Sequence, residues 1–502
     1  MPEAKASHLP STTGETKRHM NRNNAVIKRL NLVFVVFLSV VTFAANAVAQ
    51  DAASTKAHSG QAPAAARPDI DDIATQVLAA TGVPSASVAV VQDGKLVYSK
   101  AYGQARIDPP QAARTDMRYS IGSISKQFTA AAILMLQEEG KVSLDDPVEK
   151  FVPGLTRGKE ITVRQLLSHT SGYSDYWPQD YVPAFMLTPI TQQKILDMWA
   201  RKPLDFDPGT KWQYSNTNFV IAGLIVERAS GMPMLDFLRQ RIFKPLDMQS
   251  VANIDQNTLA TTDATGYFRY ALGPPHVAPK EGKGWLFAAA ELAMTAEDLQ
   301  KWNISLIKKS LLKPASYKEL ETEVRLKDGG ATNYGLGIGV IHNAGHLILR
   351  HGGEVSGFTA TSIVLPDDGV AVVALTNQDA AGASGRIANG IVGKLVQFGP
   401  PPDPKHDESV KKILEGLAHG QIDRTLFSAN GNAYFSDLAL KDYASSLSAL
   451  GTMENLRQTS TGLRGGMTFW NYVAKFPSKT VAISIYALSD GKIEQFLVGA
   501  QE

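Results

Sequence analysis

The chain reads as an α+β protein: one antiparallel sheet drawn from both ends of a domain, a helical region inserted between them, and a small α+β unit appended. Three observations predict this. Strand-like runs open the ordered chain at Ser87–Ser99 and return only after residue 335. Between Ser123 and about residue 310 the pattern is mostly helical, with long loops. A proline-rich stretch, Gly399-Pro400-Pro401-Pro402-Asp403-Pro404, then separates a tail in which helices precede strands.

Taken in order, residues 1–49 form an N-terminal extension and signal peptide. Lys28-Arg29 precede an apolar run from Leu32 to Ala45, and Ala47-Val48-Ala49 supplies a cleavage site. The run is short for a membrane span, which needs about 20 residues. Met20 would give a leader of ordinary length. Residues 50–67 are Ala/Ser/Pro-rich and read as a disordered linker. A helix follows near Asp69–Thr81. Asp93-Gly94, between two β-rich runs, marks a hairpin within Ser87–Ser99. Leu336–Ile341, His346–Arg350, Phe358–Leu365 and Val370–Thr376 read as strands, and Ser384–Val396 as the closing helix. The principal domain thus spans residues 68–398, a linker 399–405, and an accessory domain 406–502. In the latter, helices at Glu408–Ala418 and Leu438–Leu450 precede strands near Met453–Thr461, Met467–Phe476, Thr480–Leu488 and Ile493–Val498. Gly465-Gly466 fits a bulge or hairpin.

Composition narrows the chemistry. Of 502 residues, 44% are hydrophobic and 20% charged, as in a globular protein. There is no cysteine, which excludes disulfides, thiolate metal sites and a cysteine nucleophile. The net charge is +2 and no Lys/Arg run suggests a nucleic-acid partner. Neither a His-Glu-x-x-His zinc motif nor a Gly-x-Ser-x-Gly elbow occurs. No metal or organic cofactor is called for.

Ser-x-x-Lys occurs at Ser123, Ser305, Ser310, Ser409 and Ser489. Only Ser123 opens a long apolar helix, Phe128–Leu136, which ends at Gln137-Glu138-Glu139-Gly140. Ser123 and Lys126 would share one face of its first turn, an activated serine beside an amine. A free lysine has a pKa of about 10.4, so burial or a neighbour must make Lys126 a base. Tyr214-Ser215-Asn216, the one Tyr-x-Asn, follows a turn at Asp207-Pro208-Gly209. Tyr214, driven toward phenolate by the ammonium, would relay the proton. The amide of Asn216 would accept from Lys126 and donate to a substrate carbonyl. Arg350-His351-Gly352-Gly353-Glu354 lies between two strand runs, where glycines let substrate lie close to the backbone. One N–H there and that of Ser123 would form an oxyanion hole. His351, Gly353 and Glu354 are therefore substrate-binding or oxyanion candidates.

These elements, in this order, resemble the serine β-lactamase and penicillin-binding protein superfamily, in its class C β-lactamase-related branch. That branch includes D,D-carboxypeptidases, D-aminopeptidases and family VIII esterases. Ser123-x-x-Lys126 is similar to the family's nucleophile motif, and Tyr214-x-Asn216 to its second. His351-x-Gly353 stands where the family has Lys-Thr-Gly, His-x-Gly or Trp-x-Gly. Leu166-Leu167-Ser168-His169-Thr170-Ser171-Gly172 and Gly140–Val148 add to the likeness. The resemblance spans roughly residues 68–398. It implies a β-lactamase/transpeptidase-like fold, a five-stranded antiparallel sheet flanked by helices with an inserted helical lobe, the site lying in the cleft between them. The tail resembles a cystatin/NTF2-like cone.

The resemblance implies an exported serine hydrolase, periplasmic or secreted, acting through an acyl-enzyme. Its substrate would be a small ester or a D-amino-acid amide or peptide, cell-wall-derived ones included. Ser123, Lys126 and Tyr214 would be catalytic. No Lys-Thr-Gly or Lys-Ser-Gly occurs, so the lysine that helps β-lactamases bind the drug's carboxylate is replaced by a pH-dependent histidine. Two alternatives stand beside this: a protein that acylates on β-lactams or peptidoglycan fragments without efficient turnover, and a class C-like β-lactamase. The tail could serve as a ligand or partner module that sets location.

Overall fold

The computed structural model describes residues 68–271, 273–396, 398, 404–464 and 467–500. The expected leader, the linker at 50–67, most of the proline-rich linker and Gly465-Gly466 lie outside these residues.

The principal sheet forms where β-rich sequence from the two ends of the domain meets. The N-terminal hairpin gives β1 (Ser85–Gln92) and β2 (Lys95–Arg106). The C-terminal part gives β3 (Gly339–Asn343), β4 (His346–Val355), β5 (Phe358–Leu365) and β6 (Val370–Thr376). All neighbours are antiparallel, in the order Gln111–Ala112, β2, β1, β6, β5, β4, β3. The five long strands form the expected sheet; the strand read at Leu336–Ile341 is the shorter β3, Gly339–Asn343, at one edge, and the two-residue strand Gln111–Ala112 adds the other. The β1–β6 pairing, Ala86 opposite Thr376 to Val91 opposite Ala371, joins the two ends of the domain.

Helices cover both faces of the sheet, which is why β1, β5 and β6 are buried almost throughout. On one face Val88, Val90, Val372 and Ala374 pack with α1 (Pro68–Thr81) and, across the chain, a helix at Ala383–Leu395. On the other, Ala89, Val91, Val373 and Leu375 meet α2 (Ser125–Glu138) and the inserted helical lobe. The lobe contributes α3 (Asn216–Ser230) and α4 (Ala296–Lys308). The helix at Ala383–Leu395 is α5. Residues Ser125 to Leu136 of α2 are all buried, as an all-round apolar helix must be. Trp302 of α4 stacks near Phe128 and donates to Gln127 Oε1 at 2.8 Å, satisfying a polar group inside this core.

The accessory region carries its own core. Helices α6 (Pro404–Ala418), α7 (Ala429–Tyr434) and α8 (Asp437–Ser448) precede a four-stranded antiparallel meander. Its strands are β7 (Asn455–Arg464), β8 (Met467–Lys475), β9 (Thr480–Ala487) and β10 (Ile493–Ala500). Val410, Leu414 and Leu417 of α6 pack on Tyr472, Ile483, Ile485 and Phe496 of the sheet. Only the short α7 was absent from the sequence reading.

Two expectations need correcting. Ser123 lies in a 3-10 turn, Gly122–Ile124, and the α-helix begins at Ser125. The strand read as His346–Arg350 is longer than expected; β4 runs unbroken through Val355 and includes the histidine–glycine segment. The glycines thin the strand without ending it, because β5 pairs with them residue for residue, His351 opposite Ser362 to Val355 opposite Phe358.

Candidate active site

The tight 3-10 turn brings Ser123 against β4. Gly122 adopts φ +49°, and a Cβ there would lie 2.6 Å from the Glu354 nitrogen. A Cβ on Gly353 would lie 1.9 Å from the Ile121 carbonyl oxygen. Both glycines are what allow strand and nucleophile turn to touch. Strand β3 pairs with β4 only as far as Arg350, so His351–Val355 present an open edge. In this two-residue hairpin Val355 and Phe358 form the closing pair, and the ladder alternates from there. The N–H groups of Gly352 and Glu354 therefore turn away from β5, toward that edge. Glu354 N–H lies beside Gly122, next to the nucleophile turn. The Glu354 carboxylate does something else: its Oε1 accepts from Ala380 N at 2.7 Å. The residue expected to bind substrate contributes its backbone at this point.

Lys126 is fully buried one turn beyond the serine. Its Nζ lies 3.0 Å from Ser123 Oγ, 2.8 Å from Asn216 Oδ1 and 2.9 Å from the Ala289 carbonyl. It sits over the rings of Tyr214 and Phe219, 4.9 and 5.4 Å from their centroids. Burial pulls its pKa far below that of a free lysine, and the charge of Asp175 opposes part of that fall. Asn216 Nδ2 donates to Asp175 Oδ1 at 3.1 Å, which fixes the amide with its oxygen toward Lys126. The Nδ2 group expected to face substrate is thus directed at Asp175.

Tyr214 borders Ser123 and Lys126. Its charge state corrects the sequence reading. Burial raises its pKa well above the ordinary value, the Ser123 bond lowers it in part, and Asp175 raises it further. Lys126 Nζ stands 4.9 Å from the centre of its ring. The surroundings thus favour a neutral Tyr214 phenol beside an amine of lowered pKa.

Four contributors were not singled out from sequence. Asp175 has no motif of its own. The Ala289 carbonyl belongs to a turn in which Ala288 adopts φ +55°. Glu291 and Asp255 hold that turn from inside the core: Glu291 Oε1 accepts from Ala288 N at 3.2 Å, and Asp255 Oδ1 from Leu286 N at 2.9 Å. His169, noted only as part of a resembling motif, stacks 4.2 Å from the Tyr214 ring. Its Nδ1 accepts from Ser215 N at 3.1 Å, so it braces the Tyr-x-Asn loop. Tyr334 hydrogen-bonds His351 Nε2 at 2.8 Å. Among the described residues no cluster of His, Asp and Glu is placed to hold a metal ion. No helix among them is long and apolar enough to cross a membrane.

A serine with a buried amine 3.0 Å from its oxygen, beside an open sheet edge in an α/β/α frame, is an arrangement capable of acyl transfer. The Beta-lactamase family model matches residues 70–397, and the chain belongs to that family. Protein flp of Staphylococcus aureus (strain MW2) is 30% identical over 322 residues, covering 61% of this chain and 62% of its own length. This chain thus spans less than two thirds of that relative. The crystal structure of a D-stereospecific amidohydrolase from Streptomyces sp. is 30% identical, with a TM-score of 0.56, over 64% of this chain and 96% of that one. D-amino acid amidase from Ochrobactrum anthropi SV3, complexed with L-phenylalanine amide, is 25% identical with a TM-score of 0.57, covering 66% and 99%.

Proposed function

We propose that this protein is an exported serine hydrolase that works through an acyl-enzyme on small esters or D-amino-acid amides. One observation carries the reading. Two of the three partners of Lys126 Nζ, the Asn216 Oδ1 and the Ala289 carbonyl, can only accept hydrogen bonds. A neutral amine gives them its two N–H groups and keeps its lone pair for the third partner, Ser123 Oγ. The geometry therefore suits a general base, and burial supplies the lowered pKa such a base needs.

In the proposed reaction Ser123 Oγ attacks the substrate carbonyl as its proton passes to Lys126. The N–H groups of Ser123 and Glu354 receive the oxyanion, where one donor is worth about 10²–10³ in rate. Collapse breaks the bond to the leaving group, which takes the proton from Lys126 through the Tyr214 hydroxyl. Water then releases the acyl group. The likeness to a D-stereospecific amidohydrolase and a D-amino acid amidase supports the amide class. Export rests on the charged, apolar and Ala-x-Ala segments of the N-terminus. In this reading residues 68–398 are the hydrolase and 406–502 an accessory module.

The test is a panel of nitrocefin, p-nitrophenyl acetate and butyrate, and D-alanine p-nitroanilide, on wild type and Ser123→Ala. Wild type hydrolyses the short esters and the anilide, with weak or no nitrocefin turnover, and the variant loses all of it. Full activity in the variant refutes the mechanism. A second reading, acylation without efficient turnover, draws on one observation: among the described residues no carboxylate hydrogen-bonds Ser123 or Lys126 to serve as a deacylation base. A burst of one product equivalent without steady turnover would favour it.

A further inference from the structure

His351 stands where relatives with a lysine offer a cation, yet its ring is fully engaged by the protein. Its Nδ1 lies against the Gly352 carbonyl oxygen, which can only accept, so Nδ1 carries the hydrogen. Its Nε2 lies 2.8 Å from the Tyr334 hydroxyl. In the neutral ring that hydroxyl donates and Nε2 accepts. No N–H of this imidazole then remains for a substrate. Both residues are buried, 8% and 7% exposed.

The surroundings hold this state. The groups facing His351 are Lys126 on α2, Arg350 beside it on β4, Tyr334, the Tyr214 ring at 6.3 Å and His169. None is an acid. Burial first, then the Lys126 and Arg350 charges, push His351 down to about 4, against a partial opposing effect of the Gly352 bond. Tyr334 itself is fixed. Its loop is tied to the short helix Val163–Leu167, where Gly337 N donates to the Leu167 carbonyl at 2.9 Å, and lies close against the nucleophile helix, where a Cβ on Gly337 would lie 2.7 Å from the Lys126 carbonyl oxygen.

We infer that Tyr334 is a specificity-determining positioning residue: by engaging His351 Nε2 it keeps that nitrogen from presenting an N–H to substrate and selects acyl substrates whose leaving group bears no carboxylate. This rests on the serine-hydrolase reading and narrows it. The site then takes neutral esters and amino-acid amides, and disfavours dipeptide-like substrates ending in a free carboxylate, as well as β-lactams. The pH-dependent histidine expected from sequence is instead a histidine held neutral across the working range.

The experiment uses the full chain and two matched probes: a D-alanyl depsipeptide whose leaving group carries a free carboxylate, and the methyl ester of that same compound. The ratio of their kcat/KM values is measured from pH 5 to 9, a quantity independent of the folded fraction of a preparation. Wild type should favour the methyl ester by at least about tenfold, with a ratio flat in pH. Tyr334→Phe frees Nε2, so its ratio should climb toward the carboxylate probe by about fivefold or more as pH falls to 5. His351→Lys should shift the ratio that way by about tenfold at every pH. A wild-type preference for the carboxylate probe, or a Tyr334→Phe ratio identical to wild type at every pH, overturns the inference. A fluorophosphonate probe reports on Ser123 separately. Absence of both labelling and turnover in wild type would overturn the hydrolase reading itself, whereas turnover of both probes at the wrong ratio overturns only the role of Tyr334.

Discussion

Asn216 ties Lys126 to Asp175. Its side-chain oxygen accepts from Lys126 Nζ at 2.8 Å while its nitrogen donates to Asp175 Oδ1 at 3.1 Å, and its backbone N–H donates to the same oxygen at 2.9 Å. A carboxylate thereby influences the amine beside Ser123 without touching it. The arrangement permits a base whose proton affinity is set by burial and trimmed from a distance.

Substituting Lys126 separates charge from basicity. Lys126→Ala should lower kcat/KM on p-nitrophenyl butyrate by roughly 10³-fold or more, as loss of an acting base does. Lys126→Arg should not restore it, because a guanidinium does not give up its proton. Recovery of activity in the arginine variant would mean that the residue only supplies positive charge.

Asp175→Asn should move the pH profile without unfolding the protein. Asp175 raises the pKa of Lys126, so its removal lets Lys126 lose its proton at lower pH, and the acid limb of kcat/KM shifts to lower pH. Burial raises the pKa of Asp175 itself, against the bonds from Asn216 and Trp177, so its charge is disfavoured in the fold. A neutral isostere should therefore leave Tm at pH 8 unchanged or higher. A limb displaced to higher pH would contradict this.

Gly353→Ala forces a Cβ to within 1.9 Å of the Ile121 carbonyl oxygen, so strand and nucleophile turn must part. The expected cost is about 1–3 kcal/mol of stability, as for overpacking elsewhere, seen as a lower denaturant midpoint. Moving the Glu354 N–H away from Ser123 should cost about 10² or more in kcat. Gly352→Ala is the control: its added carbon comes no nearer than 3.9 Å to any group, and it should retain the stability that Gly353→Ala loses.

Glu291 makes stability fall with rising pH. Its carboxyl is fully buried, and burial first, then the Asp255 charge, raise it to about 8 from an ordinary 4.5. The folded state therefore binds a proton that the unfolded chain releases near 4.5. The stabilisation is fully present below that pH and is lost as pH climbs to about 8. Glu291→Gln should flatten the decline of Tm between pH 5 and 9, measured by thermal melts in matched buffers. An unchanged slope would show that other groups govern it.

Ser123, Lys126, Tyr214, Asn216 and His351 were legible because each lies in a short pattern whose residues meet through local geometry. A helical turn brings i and i+3 together, a turn presents a loop tyrosine, and glycines mark a backbone approached closely. The buried helix was legible too, since twelve consecutive buried positions leave an apolar trace in one segment. The accessory helices and meander were read from the same kind of local periodicity, except α7, which is only six residues long.

Asp175, the Ala289 carbonyl, Glu291 and Tyr334 left no such trace. Three of them act on residues far away in the chain: Asp175 lies 41 positions from Asn216, Ala289 163 from Lys126, and Tyr334 17 from His351, while Glu291 acts on Ala288 within a turn closed in the core. Charge states followed the same division. The order of residues determined which groups could react, because bond geometry places near neighbours. Only the tertiary structure decided how their proton affinities move: burial raises the pKa of Tyr214 and lowers those of His351 and Lys126. Burial and electrostatics depend on everything packed around a group, and that is assembled from segments the sequence keeps apart.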